Sequence, residues 1–189
     1  MARLIFDYDP PDRFVAGTVG EPGQRTFFLQ ASEGSRLTSV ALEKQQVTVL
    51  AERVEALLDE VLRRTAGETS VPAAVPTDAE DTAPLATPIE EEFRVGTMAL
   101  AWDGSDERVV IEAQAVAEDE TDDETALIDE TEEGPPLLRV RITGATARAF
   151  VKRSLALVAA GRPPCPFCGN PLDPAGHVCP RANGIRRAS

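Results

Sequence analysis

Histidine is almost absent from this 189-residue chain, which has one. A lone imidazole makes a nucleophile-histidine-acid relay hard to assemble, and no such arrangement is visible. Cysteine is limited to three, an odd number that leaves one thiol over in any disulfide network. No apolar run approaches the roughly 20 residues needed to cross a bilayer as a helix, so no membrane partner is expected. Glycine-rich nucleotide loops and Walker sequences are missing as well. Positive charge is in the minority, with 19 Lys and Arg against 32 Asp and Glu. The resulting net charge of −13 opposes non-specific attraction to nucleic acid, although a local basic patch can still bind it. Together these absences favour a non-enzymatic role.

A hydrophobic fraction of 42% is enough for a core, and the length suits one globular body with a small metal-bound tail. Leu4-Ile5-Phe6 is a very short apolar run followed at once by Asp7 and Asp9, unlike a secretory signal. Cytoplasmic placement is therefore the expectation. In a reducing compartment a C-x2-C pair is more naturally metal-binding or redox-active than a structural disulfide.

The first half, residues 1–65, reads as strands followed by a helix. Leu4, Phe6 and Tyr8 alternate with Ile5, Asp7 and Asp9 until Pro10-Pro11 ends the run. Phe14 to Val19 and Arg25 to Ala31 flank the turn residues Gly20-Glu21-Pro22-Gly23, and Arg36 to Leu42 is a fourth strand. The period then changes. Val47, Leu50, Val54, Leu57, Leu58 and Val61 form one apolar stripe at helical spacing between about Glu43 and Arg64. Glu43-Lys44-Gln45-Gln46 opens this helix, as a solvated first turn or as polar groups offered to a partner.

Residues 66–91 are rich in Ala, Pro, Thr and acidic residues and read as a flexible linker or long loop, with little reason to form a ligand site. Residues 92–161 form a second sheet-helix half. Phe93 to Leu100, the connection at Trp102-Asp103-Gly104-Ser105-Asp106, and Val109 to Ala113 suggest a hairpin in which Trp102 belongs to the core or its edge. An acidic loop at residues 118–133 carries ten carboxylates, which should keep it hydrated. It lacks the glycine of an EF-hand calcium loop. Leu137 to Ile142 is the next strand, with Arg139 and Arg141 on the face opposite Leu138, Val140 and Ile142, serving as a charged solvent face or an anion contact. Thr143 is placed to cap a helix from about Gly144 to Ala160. Ala147, Phe150, Val151, Leu155 and Val158 form its buried stripe, and Arg148, Lys152 and Arg153 lie on the exposed side. Phe14-Val15-Ala16-Gly17-Thr18 and Phe93-Arg94-Val95-Gly96-Thr97 are alike, a loose sign of a repeat in which the halves either share one sheet or face each other as layers. The fold class is α+β, two β-rich halves each followed by a helix, with a C-terminal zinc knuckle.

The knuckle lies in residues 162–189. All three cysteines and the only histidine fall within fifteen residues, as Cys165-Pro166-Phe167-Cys168 and His177-Val178-Cys179. Thiolate and imidazole suit Zn²⁺, and Cys165, Cys168, His177 and Cys179 would complete a tetrahedral structural site, leaving no open position for catalysis. A redox-active Cys165/Cys168 pair is the alternative. It is less suited to a turn carrying Pro166 and Gly169 than to a strand entering a helix. Asn170, Asp173 and Asn183 are candidate supports through hydrogen bonds, while Phe167 and Leu172 are candidates to pack beside the cluster or dock it on the body. Arg162, Arg181, Arg186 and Arg187 give the tail a basic surface for nucleic-acid phosphate, an acidic protein or the acidic loop.

Phe27-Phe28-Leu29-Gln30-Ala31, Leu42-Glu43-Lys44-Gln45-Gln46-Val47, and the run from Ala160 to Gly169 with His177 to Gly184 carry a resemblance. They resemble a small actinobacterial family catalogued as domain of unknown function 3090, over nearly the whole chain apart from the linker and the acidic loop. The resemblance implies an actinobacterial cytoplasmic protein and brings no established activity. The expectation is a protein-interaction or adaptor protein with a structural zinc site and an unidentified protein partner. The rival is a nucleic-acid-associated regulatory protein using the basic tail.

Overall fold

Period-2 alternation places successive side chains on opposite faces of the sheet, and here the two faces are covered in different ways. The computed structural model describes residues 3–117, 133–161 and 164–170, together with residues 172, 177 and 179. The strands are β1 (Ile5–Tyr8), β2 (Arg13–Val19), β3 (Thr26–Glu33), β4 (Arg36–Leu42), β5 (Glu91–Asp103), β6 (Arg108–Ala115) and β7 (Leu137–Thr143), with helices α1 (Lys44–Arg64) and α2 (Gly144–Ala159). All seven strands share one mixed sheet in the order β1-β7-β6-β5-β4-β3-β2. The question of one sheet or two layers is thereby answered.

Two antiparallel meanders, β2-β3-β4 and β5-β6-β7, meet where β4 runs parallel to β5. That junction is parallel because α1 and the segment after it carry the chain back before β5 begins, as a crossover must. Each meander is followed by a helix. The matching pentapeptides fall in β2 and β5, the first strand of each meander, and their glycines both permit close approach. A Cβ on Gly17 would lie 2.4 Å from Leu85 Cγ, and one on Gly96 would lie 2.8 Å from Val116 Cα beside the register shift between Val95 and Thr97.

The sheet curls strongly. β1 pairs with β7 at one edge, yet Tyr8 Oη lies 2.8 Å from Thr38 Oγ1 of β4, and Arg36 Nη2 donates to Asp7 O at 2.8 Å while its guanidinium covers the Tyr8 ring. The enclosed face holds the main core. Phe14, Leu29, Val40, Phe93, Ile111 and Val140 join Val47, Leu50, Val54 and Leu58 of α1 and Phe150 of α2. At one edge Phe14 stacks on Phe150 with ring centroids 4.8 Å apart. Trp102 is part of β5 and packs on the edge of this core.

The segment between α1 and β5, the strap, contains one short 3-10 turn at Thr77–Ala79 and lies against the body. Val71 enters the main core. Leu85 and Ile89 cover Val15, Phe28 and Ala41 on the opposite face of β2, β3 and β4. The Gln30 amide works as a substitute peptide for the strap, donating to Ala86 O at 3.0 Å and accepting from Ala86 N at 2.7 Å.

Three arginines differ from their expected solvent positions. Arg148 is 6% exposed, with Nε donating to Pro72 O at 3.1 Å and Nη2 to Asp59 at 2.6 Å. Arg153 donates to Ala16 O at 2.7 Å and to Asp81, while only Lys152 of the trio is largely exposed. Arg139 pairs with Glu112, a residue 1% exposed, so that strand face is an ion-pair face. A strap with few strand or helix bonds of its own must satisfy its carbonyls elsewhere, and arginine side chains supply the donors. The expected acidic loop, apart from Glu133, lies outside the described residues.

Candidate metal centre

α2 delivers the chain to this site. Thr143 Oγ1 accepts the Thr146 N–H at 3.2 Å and caps the helix, as its sequence position suggested. At the other end Ala160 N donates to Ala156 O, and Arg25 Nη2 donates to Ala160 O at 2.9 Å, tying the helix exit to the start of β3. Continuation as a helix is blocked by Pro163-Pro164.

Cys165 to Asn170 forms a closed turn. Gly169 N donates to Cys165 O at 2.8 Å, and Cys165 N donates to Asn170 O at 2.7 Å. Gly169 has φ +77°, a left-handed conformation that glycine adopts without a Cβ clash. This curl aims backbone N–H groups at sulfur. Hydrogen bonds from Phe167 and Cys168 N–H bring the Cys165 thiol down to about 6, with burial opposing them. Cys168 is pushed up: the Asn170 N–H favours its thiolate, but burial and the neighbouring Cys179 and Cys165 sulfurs outweigh that.

His177 and Cys179 return to the same place. The Sγ atoms of Cys165, Cys168 and Cys179 and a ring nitrogen of His177 all lie within 4.8 Å of one another, a group that could hold a metal ion. Cys168 Sγ is 3.1 Å from His177 Nε2, and Cys165 Sγ is 3.8 Å from Cys179 Sγ, far beyond the roughly 2.05 Å of a disulfide. Cys165 and Cys179 are buried, whereas Cys168 and His177 are half-buried. The four candidate ligands named by sequence spacing are therefore brought together.

Other expectations divide. Phe167 is 64% exposed, and Leu172 is half-buried. Asn170 supports the turn through its carbonyl. Arg162, Arg181, Arg186 and Arg187, together with Asp173 and Asn183, lie outside the described residues. The opening of α1 is committed to structure. Gln46 Oε1 accepts the Glu43 N–H at 2.8 Å, its Nε2 donates to Val95 O at 3.1 Å, and Glu43 pairs with Arg94 at 2.9 Å. Arg141 is surrounded by Asp9, Asp103 and Asp106. No described helix is long and apolar enough to cross a membrane.

Fold and site together define an α+β protein with one curled mixed sheet, two helices and a C-terminal Cys₃His group able to hold a metal ion. The chain belongs to the family described as "Protein of unknown function (DUF3090)", which matches residues 6–179. No curated protein and no solved structure gives a significant match.

Proposed function

We propose that Cys165, Cys168, His177 and Cys179 bind one Zn²⁺ as a closed structural site, and that the knuckle so formed is the interaction surface of a non-enzymatic adaptor in the reducing cytoplasm. The convergence of all four ligand atoms within 4.8 Å carries this reading. Three thiolates and an imidazole are donors that suit zinc, and four protein ligands fill a tetrahedron without leaving a place for a reacting water. Zn–S bonds of about 2.3 Å set a sulfur–sulfur edge of about 3.8 Å, and the Cys165–Cys179 separation is 3.8 Å. The 3.1 Å between Cys168 and His177 is shorter than the roughly 3.6 Å of a sulfur–nitrogen edge. Metal entry then asks these two half-buried groups to part by a few tenths of an ångström.

Support for an interaction role comes from Phe167. Its ring stands exposed on a turn that the metal would make rigid, the setting in which an aromatic anchors a partner at low entropic cost. An exposed ring also suits stacking on an unpaired base, so the second reading is nucleic-acid association aided by Arg162, Arg181, Arg186 and Arg187.

Metal analysis of the purified full chain should find about one zinc per molecule, lost in Cys165→Ser, because such ligand sets bind one ion. Zinc far below that level, with a tail unchanged by added zinc, removes the structural-site reading. Phe167→Ser should retain zinc and lose a specific protein partner held by the wild type. Salt-sensitive binding of a single-stranded oligonucleotide, abolished by neutralising Arg181, Arg186 and Arg187, would instead favour the nucleic-acid reading.

A further inference from the structure

Asp81, in the strap, is held as a bound anion is held. Arg13 grips it with a fork, Nε to Oδ2 at 2.5 Å and Nη2 to Oδ1 at 2.9 Å, while Arg153 Nη1 reaches Oδ1 at 3.0 Å and the Ala83 N–H reaches it at 2.9 Å. The guanidiniums come from β2 and α2, two elements locked together by the Phe14–Phe150 stack. Beside this cluster opens a cavity of about 530 Å³, walled by the start of β2, residues 78–83 of the strap and one side of α2. Its volume is that of a small-molecule site.

We propose that this cavity binds a small ligand through a carboxylate or phosphate head group, and that Asp81 is the internal anion occupying the head-group position until the ligand displaces it. A simple ion-pair staple would match one acid to one base. Here one carboxylate serves two guanidiniums, which also hold the strap backbone: Arg13 Nη2 donates to Ala83 O at 2.9 Å and Pro84 O at 3.0 Å, and Arg153 Nη1 to Asp81 O at 2.8 Å. Burial holds Arg153 below its usual value; Asp81 opposes this and the charge of Arg13 adds to it, so Arg153 is under-compensated. The forked, planar donors of two arginines on rigid elements fit carboxylate and phosphate oxygens.

The strap is anchored on both sides of Asp81. Leu85 and the Gln30–Ala86 bonds hold it on one side of Asp81, and Arg148 holds Pro72 on the other. Displacing Asp81 also requires the carbonyls of Asp81, Ala83 and Pro84 to leave Arg153 and Arg13, and the ligand head group must take over those donors. Arg153 stays anchored by its 2.7 Å bond to Ala16 O. Of the other acids, Glu80 is engaged by Lys152 at 2.5 Å and Asp12 accepts the Gly34 N–H at 2.7 Å. Asp12 and Asp78 still make the rim acidic, which selects a single anionic head over a polyanion.

The test uses the full chain, wild type and Asp81→Asn, titrated with inorganic phosphate and separately with acetate at constant ionic strength, read by calorimetry. Removing the internal competitor should tighten saturable one-site binding of at least one probe by about tenfold or more, because a blocked site binds in proportion to its open fraction. A phosphate response marks a phosphorylated ligand and an acetate response a carboxylic acid. Asp81→Asn/Arg153→Gln should lose the binding. If Asp81→Asn is poorly folded, hydrogen exchange of the wild type replaces it, with residues 78–83 exchanging faster when saturating probe is added. A folded Asp81→Asn that binds neither anion, binding that survives Arg153→Gln, or wild-type exchange unchanged by both probes overturns the proposal.

Discussion

Leu85 fills the space where Gly17 has no side chain. A Cβ on Gly17 would lie 2.4 Å from Leu85 Cγ and 2.5 Å from Cδ2, inside any permitted contact. The strap and β2 are thus matched at the level of single atoms, and Leu85 seals a second apolar cluster over Val15, Phe28 and Ala41.

Gly17→Ala should therefore push Leu85 out and destabilise the protein by about 1–3 kcal/mol, the usual result of overpacking. Leu85→Ala alone should also destabilise, by loss of buried apolar area. In the double variant the new methyl finds room, so the two effects should be less than additive in a denaturant double-mutant cycle. Additive losses would show that the two side chains do not share the space.

Glu112 and Arg139 face each other directly across β6 and β7, with Nε 2.6 Å from Oε1 and the glutamate almost fully buried. Replacing Glu112 by alanine leaves a guanidinium on a largely covered face and should cost about 3–5 kcal/mol. A cycle with Arg139→Met should return a coupling energy of about 0.5–3 kcal/mol. A loss no larger than that of an exposed ion pair would contradict this burial.

Asp81 should leave a signature in acid. Hydrogen bonds from Arg13 hold its carboxyl below the usual carboxylate range against the opposing effect of burial, with the Ala83 N–H and the charge of Arg153 assisting. A depressed folded-state value means stability that is present above the unfolded value of about 3.9 and is lost as pH falls through the folded one. Compared by urea unfolding under pH-stat control, without buffer anions, wild type should exceed Asp81→Asn by a constant margin above about pH 5. That margin should shrink below about pH 4. A margin independent of pH would separate Asp81 from the arginines.

Thr143→Ala removes the oxygen that accepts the Thr146 N–H at the start of α2. The expected cost is about 1 kcal/mol. Thr143→Ser should recover most of it, since the hydroxyl does the capping, and equal losses in both variants would assign the effect to the methyl group instead.

Much of this was local enough to read in the chain. The stripe from Val47 to Val61, the Thr143 cap and the alternation in Arg36 to Leu42 follow from periodicities that one segment displays by itself. The spacing of Cys165, Cys168, His177 and Cys179 likewise pointed to the one group of side chains that could hold a metal ion among the described residues, because thiolates and imidazole so close together can converge through turns alone. The strap showed the opposite. Its composition read as a flexible linker or long loop, and Arg148 and Arg153 looked like ordinary exposed helix residues, because their partners Pro72 and Asp81 lie more than seventy positions away in the sequence.

What the sequence determined by itself, then, was the set of elements and the Cys₃His group, since periodicity and ligand spacing act over a few turns of chain. Tertiary structure alone decided that the two meanders would join through parallel β4 and β5 into one curled sheet, and that one strap carboxylate would sit between two arginines. Those outcomes depend on which distant groups satisfy buried donors and carbonyls, a competition settled only when the whole chain packs.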